Sequence, residues 1–186
     1  MDPFSVLGLQ PQFSIDLSEL ADRQRQLSLT LHPDRYGGRP ASERRAALGR
    51  AIEVNEAYRL LKDPVKRAAA LFDLWQLAYP EGEEPAADAE FLMEMMEGRQ
   101  ELREAGAKQD HSRLQSLEKA ARARQAETVR RLGASFANLA ELRGGAESGP
   151  LVEQERTRGH GLLAELRYWR RYLDEAQALV DEWELS

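Results

Sequence analysis

The chain has 186 residues and a formal net charge of −6, long enough for one or two small domains with cores of their own. It has no Cys, which excludes disulfides, thiol nucleophiles and thiolate metal sites, and His32, His111 and His160 are too far apart for metal-ligand spacing. No apolar run approaches the ~20 residues that span a membrane.

Residues 1–77 carry 11 Lys or Arg against 10 Asp or Glu, net +1, whereas residues 78–186 carry 15 against 22, net −7. An acidic second half argues against nucleic acid as a partner. The start, Met1-Asp2-Pro3-Phe4, lacks a basic segment followed by an apolar one. The expected compartment is therefore cytoplasmic, and a bacterial cytoplasm is favoured over the mitochondrial matrix. β-Branched residues are scarce and Ala, Leu, Glu, Arg and Gln dominate, which favours helix throughout.

Phe4 and Leu7, three apart, predict a short leading helix. Asp16 and Glu19 have the spacing of a capping box, and Leu17, Leu20, Leu27 and Leu31, with Gln24, give the helix after it one face. A second helix over about 42–61 has the seam Ala47, Ala51, Val54, Tyr58 and Leu61. Two such stripes joined by a short loop predict an antiparallel helical hairpin. The loop, Arg35-Tyr36-Gly37-Gly38-Arg39-Pro40, is too rich in Gly and Pro to continue either helix. Asp63-Pro64 ends the second helix and Pro64 starts the next, whose apolar side is Val65, Ala68, Ala69, Phe72 and Trp75.

His32, Pro33 and Asp34 therefore stand at the tip of a hairpin, where no core demands them. Pro33 lacks an amide proton and has a fixed φ, so it ends the helix and stiffens the exit. The two polar heads are held with little entropy left to lose on binding, and Asp34 can take a bidentate grip from a partner Arg. No third group orients His32 and no nucleophile accompanies it, so the chain is not expected to be an enzyme.

Tyr79-Pro80-Glu81-Gly82-Glu83-Glu84-Pro85 breaks the composition and reads as a solvated linker. The expected domains are 1–77, a linker 78–87, and 88–186. Within the last, helices over about 88–107, 111–142 and 150–184 are separated by a weak break at Ala107 to His111 and by the turn Arg143-Gly144-Gly145-Ala146-Glu147-Ser148-Gly149-Pro150. Val129, Leu132, Phe136 and Leu139 mark the middle helix. Leu162, Leu166, Trp169, Leu173, Ala176, Val180 and Trp183 mark the last, so a three-helix bundle with antiparallel neighbours follows. The basic run Lys119, Arg122, Arg124, Arg130 and Arg131 reads as a solvated face, and His111 and His160 as plain surface.

The first of these helices has two apolar faces. Phe91, Met95, Gly98, Leu102 and Ala105 follow a four-three stripe suited to a core. Leu92, Met93 and Met96 lie on an adjoining face, continued by Gln100 and Glu104 and rimmed by Glu97. One buried stripe suffices for a bundle helix. The second face is either a deeper core contact or an exposed docking patch, for which flexible, polarizable Met is well suited.

Phe4-Ser5-Val6-Leu7-Gly8-Leu9, then His32-Pro33-Asp34-Arg35, then Asn55-Glu56-Ala57-Tyr58-Arg59-Leu60-Leu61-Lys62-Asp63-Pro64 resembles a J-domain, over about residues 1–75. That module lets co-chaperones of the DnaJ class engage an ATP-dependent chaperone of the DnaK class. The resemblance implies that His32, Pro33 and Asp34 dock on the chaperone's ATPase domain and help trigger hydrolysis. The docking helix of J-domains is commonly rich in Lys and Arg. Here it offers Arg23 and Arg25, with Arg35 just past the tripeptide, so selective pairing with one dedicated chaperone is expected.

The segment Phe91 to Glu104 resembles the HscB family, which pairs a J-domain with a three-helix bundle and serves iron–sulfur cluster biogenesis. The resemblance implies an all-α, L-shaped protein that binds an IscU-like scaffold and delivers it to an HscA-like chaperone; a monomer is expected, with self-association left open by the sequence. Leu92, Met93, Met96, Glu97, Gln100 and Glu104 would meet the scaffold. Tyr172 aligns with a family aromatic beside the patch, with rim packing as its other reading. The cluster would be the scaffold's, and no cofactor is expected for this chain. The alternatives are a J-domain co-chaperone for a different client and a non-catalytic helical adaptor.

Overall fold

A computed structural model describes residues 2–36, 38–80, 82–85, 89–143 and 149–184. Gly37, Glu81, residues 86–88 of the expected linker and residues 144–148 of the last turn lie outside the described residues. The chain divides into two compact units, Met1–Ala78 and Tyr79–Ser186. Helices are the sole regular elements among the described residues.

The first unit is built on α1 (Pro3–Leu7), α2 (Leu17–Thr30), α3 (Ala41–Lys62) and α4 (Pro64–Leu74), with a 3-10 turn at Pro33–Tyr36. Asp16 caps α2, its carboxylate accepting from the Ser18 amide at 2.7 Å and from the Ser18 hydroxyl at 2.6 Å. The Ser18 hydroxyl, then the Ser18 and Glu19 amides, hold that carboxyl below its ordinary pKa. Glu19 accepts from Arg23. Asp63 sits in extended geometry before Pro64, stops α3, and caps α4 through the Val65 amide at 2.9 Å.

Phe4, Leu7, Leu20, Ala47, Val54, Ala57, Leu61, Ala68, Leu71 and Phe72 are buried. Each large apolar side chain among them contributes about 1.5–3 kcal/mol. Leu17 belongs to the expected seam but is 51% exposed. Gln24 Nε2 donates to Asn55 Oδ1, so in an antiparallel pair Leu17 falls opposite the last residues of α3, where the partner helix stops. Two core residues carry no periodic signal. Phe13, in the loop before α2, is buried and lies under the Arg67 guanidinium at 4.7 Å. Arg67 donates to the Leu61 carbonyl, which lies beyond the reach of the α4 backbone.

The second unit is α5 (Ala89–Ala107), α6 (His111–Leu142) and α7 (Gly149–Glu184). Glu101 meets Arg113 and Glu94 meets Arg124, so α5 and α6 are antiparallel. Tyr168 meets Met95 and Tyr172 meets Gly98, so α7 runs parallel to α5. The α6–α7 contact is the most extensive. It buries Leu132, Phe136 and Leu139 among Leu162, Leu163 and Leu166, and a second cluster joins Met95, Leu102, Leu114 and Ala121 to Trp169, Tyr172 and Ala176.

His160 and the segment before α5 both depart from the expected solvated surface. His160 is buried, with the Tyr79 ring edge-on at 4.7 Å, because α7 carries it toward the segment that enters the bundle. That segment is attached rather than solvated at two points. The Tyr79 hydroxyl donates to Glu153 at 2.7 Å beneath the Arg156 guanidinium, and Glu84 pairs with Arg167 at 3.0 Å. His111 remains exposed but packs edge-on against Trp183 at 4.6 Å.

Candidate functional sites: the hairpin tip and the outer face of α5

The backbone ends α2 at Thr30 and re-forms as the tight turn Pro33–Tyr36, closed by the Arg35 amide donating to the His32 carbonyl at 3.0 Å. His32 Nδ1 accepts from the Asp34 amide at 3.3 Å and lies 3.5 Å from Asp34 Oδ2. The tripeptide thus orders itself with local bonds. The side chains of His32 and Asp34 are 56% and 90% exposed, so nothing in the core depends on them. A partner can reach both heads without local unfolding.

Arg23 and Arg25 lie on α2 as expected, but each is matched by an acid on its own helix. Arg23 pairs with Glu19 at 2.9 Å and Arg25 with Asp22 at 2.7 Å. Arg35 is exposed at the tip and forms no ion pair with a described residue. The charge of α2 is therefore locally neutralised, and Arg35 stands beside the exposed Asp34 at the tip.

On α5, Met95, Leu102 and Ala105 are buried while Leu92, Met93 and Met96 are 49%, 65% and 74% exposed. The two faces expected from the periodicity are distinct. The outer one is an apolar patch continued by exposed Glu97, Gln100 and Glu104, and the Gln100 amide donates to Glu104 at 3.1 Å. Tyr172 does not lie on it. It is 3% exposed, and its hydroxyl donates to the Gly98 carbonyl at 3.3 Å. Burial first, then the nearby Tyr168 and Glu101, pushes the phenol up to about 12. A ring seated between α5 and α6 braces the patch from below and adds nothing to the patch's own surface.

Sequence reasoning missed Tyr168 and Arg99. The Tyr168 hydroxyl donates to the Met95 carbonyl at 3.1 Å, and Arg99 lies over the Tyr168 ring while pairing with Glu175. The four-residue spacing of Tyr168 and Tyr172 was the available signal. Together they tie the middle of α5 to α7 directly behind Leu92 and Met96.

A self-ordered His-Pro-Asp at the tip of a helical hairpin, followed by a separate helical unit, defines the class of J-domain co-chaperones. Residues 2–70 match the DnaJ domain, and residues 87–177 match a family described as the HSCB C-terminal oligomerisation domain. A "Co-chaperone protein HscB homolog" of Pasteurella multocida (strain Pm70) is 36% identical over 115 residues, which are 61% of this chain and 67% of that protein. The structure of chaperone HscB from Vibrio cholerae has a TM-score of 0.77 at 27% identity, covering 98% of this chain and 99% of that one. Human co-chaperone protein HscB shares the fold, with a TM-score of 0.78 at 24% identity over 96% and 81%. The chain belongs to the HscB family.

Proposed function

We propose that this protein binds an IscU-like iron–sulfur scaffold, delivers it to a dedicated HscA-like chaperone of the DnaK class, and stimulates that chaperone's ATPase, promoting cluster transfer. His32, Pro33 and Asp34 make the activating contact, with Arg35, Arg23 and Arg25 supplying charge around it. Leu92, Met93, Met96, Glu97, Gln100 and Glu104 receive the scaffold, and Tyr172 acts as a positioning residue beneath them. The protein is an adaptor and carries out no chemistry of its own. Joining both contacts in one chain raises the local concentration of scaffold at the chaperone. The chain acts in the cytoplasm.

The observation that carries this reading is the exposed Leu92, Met93 and Met96 patch on a bundle joined to a J-domain. Steady-state ATP hydrolysis by the cognate chaperone, with scaffold present, tests it. Native protein is expected to accelerate turnover and His32→Gln to abolish the acceleration with scaffold affinity unchanged. Equal rates with and without native protein, at saturating concentration, would leave only an adaptor bundle.

A further inference from the structure

Glu90, Glu94, Glu97, Glu101 and Glu104 alternate four and three apart and form one acidic row along α5. Two of them bridge to α6. Glu94 meets Arg124 at 3.0 Å and Glu101 meets Arg113 at 2.8 Å. Between these bridges the helices leave a cleft of about 260 Å³. Its floor is aromatic (Tyr168, Trp169 and Tyr172), and its α6 wall is Leu117, Ala120 and Ala121, with Arg124 at the end where it bridges to Glu94. Small residues there hold the cleft open. At Gly98, a Cβ would only just reach Tyr172, at 3.5 Å. Glu97 stands at the mouth and forms no ion pair with a described residue, since Arg124, the base on the α6 wall, is engaged by Glu94.

Glu97 also borders the Leu92 and Met96 patch, so the cleft continues the surface that the proposed function assigns to the scaffold. Its volume is below the roughly 300 Å³ at which pockets for drug-sized ligands begin. An aromatic floor, apolar walls and one unmatched carboxylate at the mouth complement a long aliphatic stem ending in a cation. Resting on that reading, we propose that the cleft receives one Lys or Arg side chain of the scaffold protein as an anchor separate from the apolar patch. Its aliphatic stem lies between Ala120 and the aromatic rings and its cation meets Glu97.

The test uses the full chain and the intact scaffold protein. Scaffold affinity is measured by calorimetry for native protein, Met96→Ala and Ala120→Leu, the last of which fills the cleft from an exposed helix position. A parallel cycle pairs Glu97→Gln with scaffold variants in which surface Lys and Arg are changed to Met one at a time. Ala120→Leu is expected to weaken binding about tenfold with thermal stability unchanged. One scaffold variant is expected to lose about as much against native protein and little more against Glu97→Gln. Native affinity for Ala120→Leu, with Met96→Ala still weakened, would overturn the anchor and leave the patch standing. Additive losses for every scaffold cation would also overturn it. No binding by native protein would overturn the proposed function and the anchor together. A fall in the mass of free protein on Ala120→Leu would assign the cleft to a second copy of this chain instead.

Discussion

Tyr79 is where the residue scale differs most from the sequence. Its hydroxyl and Arg156, in that order, hold the Glu153 carboxyl below its ordinary value of 4.5. Both favour the ionised form, so the folded pKa lies below the unfolded one. The stability they add is present above the unfolded pKa and lost as pH falls through the folded one. Tyr79→Phe is expected to move the Glu153 titration upward, toward 4.5, in carboxyl NMR, and to shrink the acid-side loss of stability. An unmoved titration would remove this bond from the account. Asp63 is the contrasting case. Its place before Pro64 announces both the end of α3 and the cap of α4, because the amides it caps, those of Val65 and Lys66, lie within three residues. The partners of Tyr79 are more than 70 positions away, and no local pattern encodes them. Phe13 and Arg67 were illegible for the same reason.

Element boundaries were legible to within a residue or two, since Asp16, Pro64 and Asp110 act on their own helices. Which face of α5 is covered was also readable, because one four-three stripe meets the bundle. The fate of the other face was not, as its exposure depends on where α6 and α7 end up. The helices also differ in what holds them. The α6–α7 seam is mainly apolar, with buried Thr128 and Ser135 and the Arg131–Glu165 pair beside it, whereas α5 is held by Met95, Leu102 and Ala105, two tyrosine-to-carbonyl bonds and exposed ion pairs. Phe136→Ala, within the seam, is expected to cost about 3–5 kcal/mol in a urea melt. At 1 M salt, where screening acts over about 3 Å, amide hydrogen exchange in α5 is expected to speed up before that in α6 or α7. Uniform acceleration would show that the exposed pairs contribute nothing local.

On the scale of the whole molecule, the two units divide the chemistry between them. The tip of the first is free of structural duty, and the core of the second makes no demand on Leu92, Met93 or Met96. Folding and the proposed recognition contacts therefore rest on different residues, which explains why family motifs stood out so clearly. A His-Pro-Asp with no packing role and a second apolar stripe with no partner are both surplus to a stable fold. Glu97 shows the limit of this legibility. Its place in the acidic row is periodic, but its lack of an ion pair follows from Arg124 being engaged by Glu94 and from Leu117, Ala120 and Ala121 making up the rest of the α6 wall. The bonds that order the tip are local, so a change at His32 leaves every buried residue in place. This carries a genetic consequence. Under the proposed function, a cell making both native protein and His32→Gln would hold two folded forms that capture the scaffold equally well, of which only one passes it on. The defect should therefore be dominant, deepening as the ratio of variant to native protein rises, and a second substitution at Met96 should relieve it.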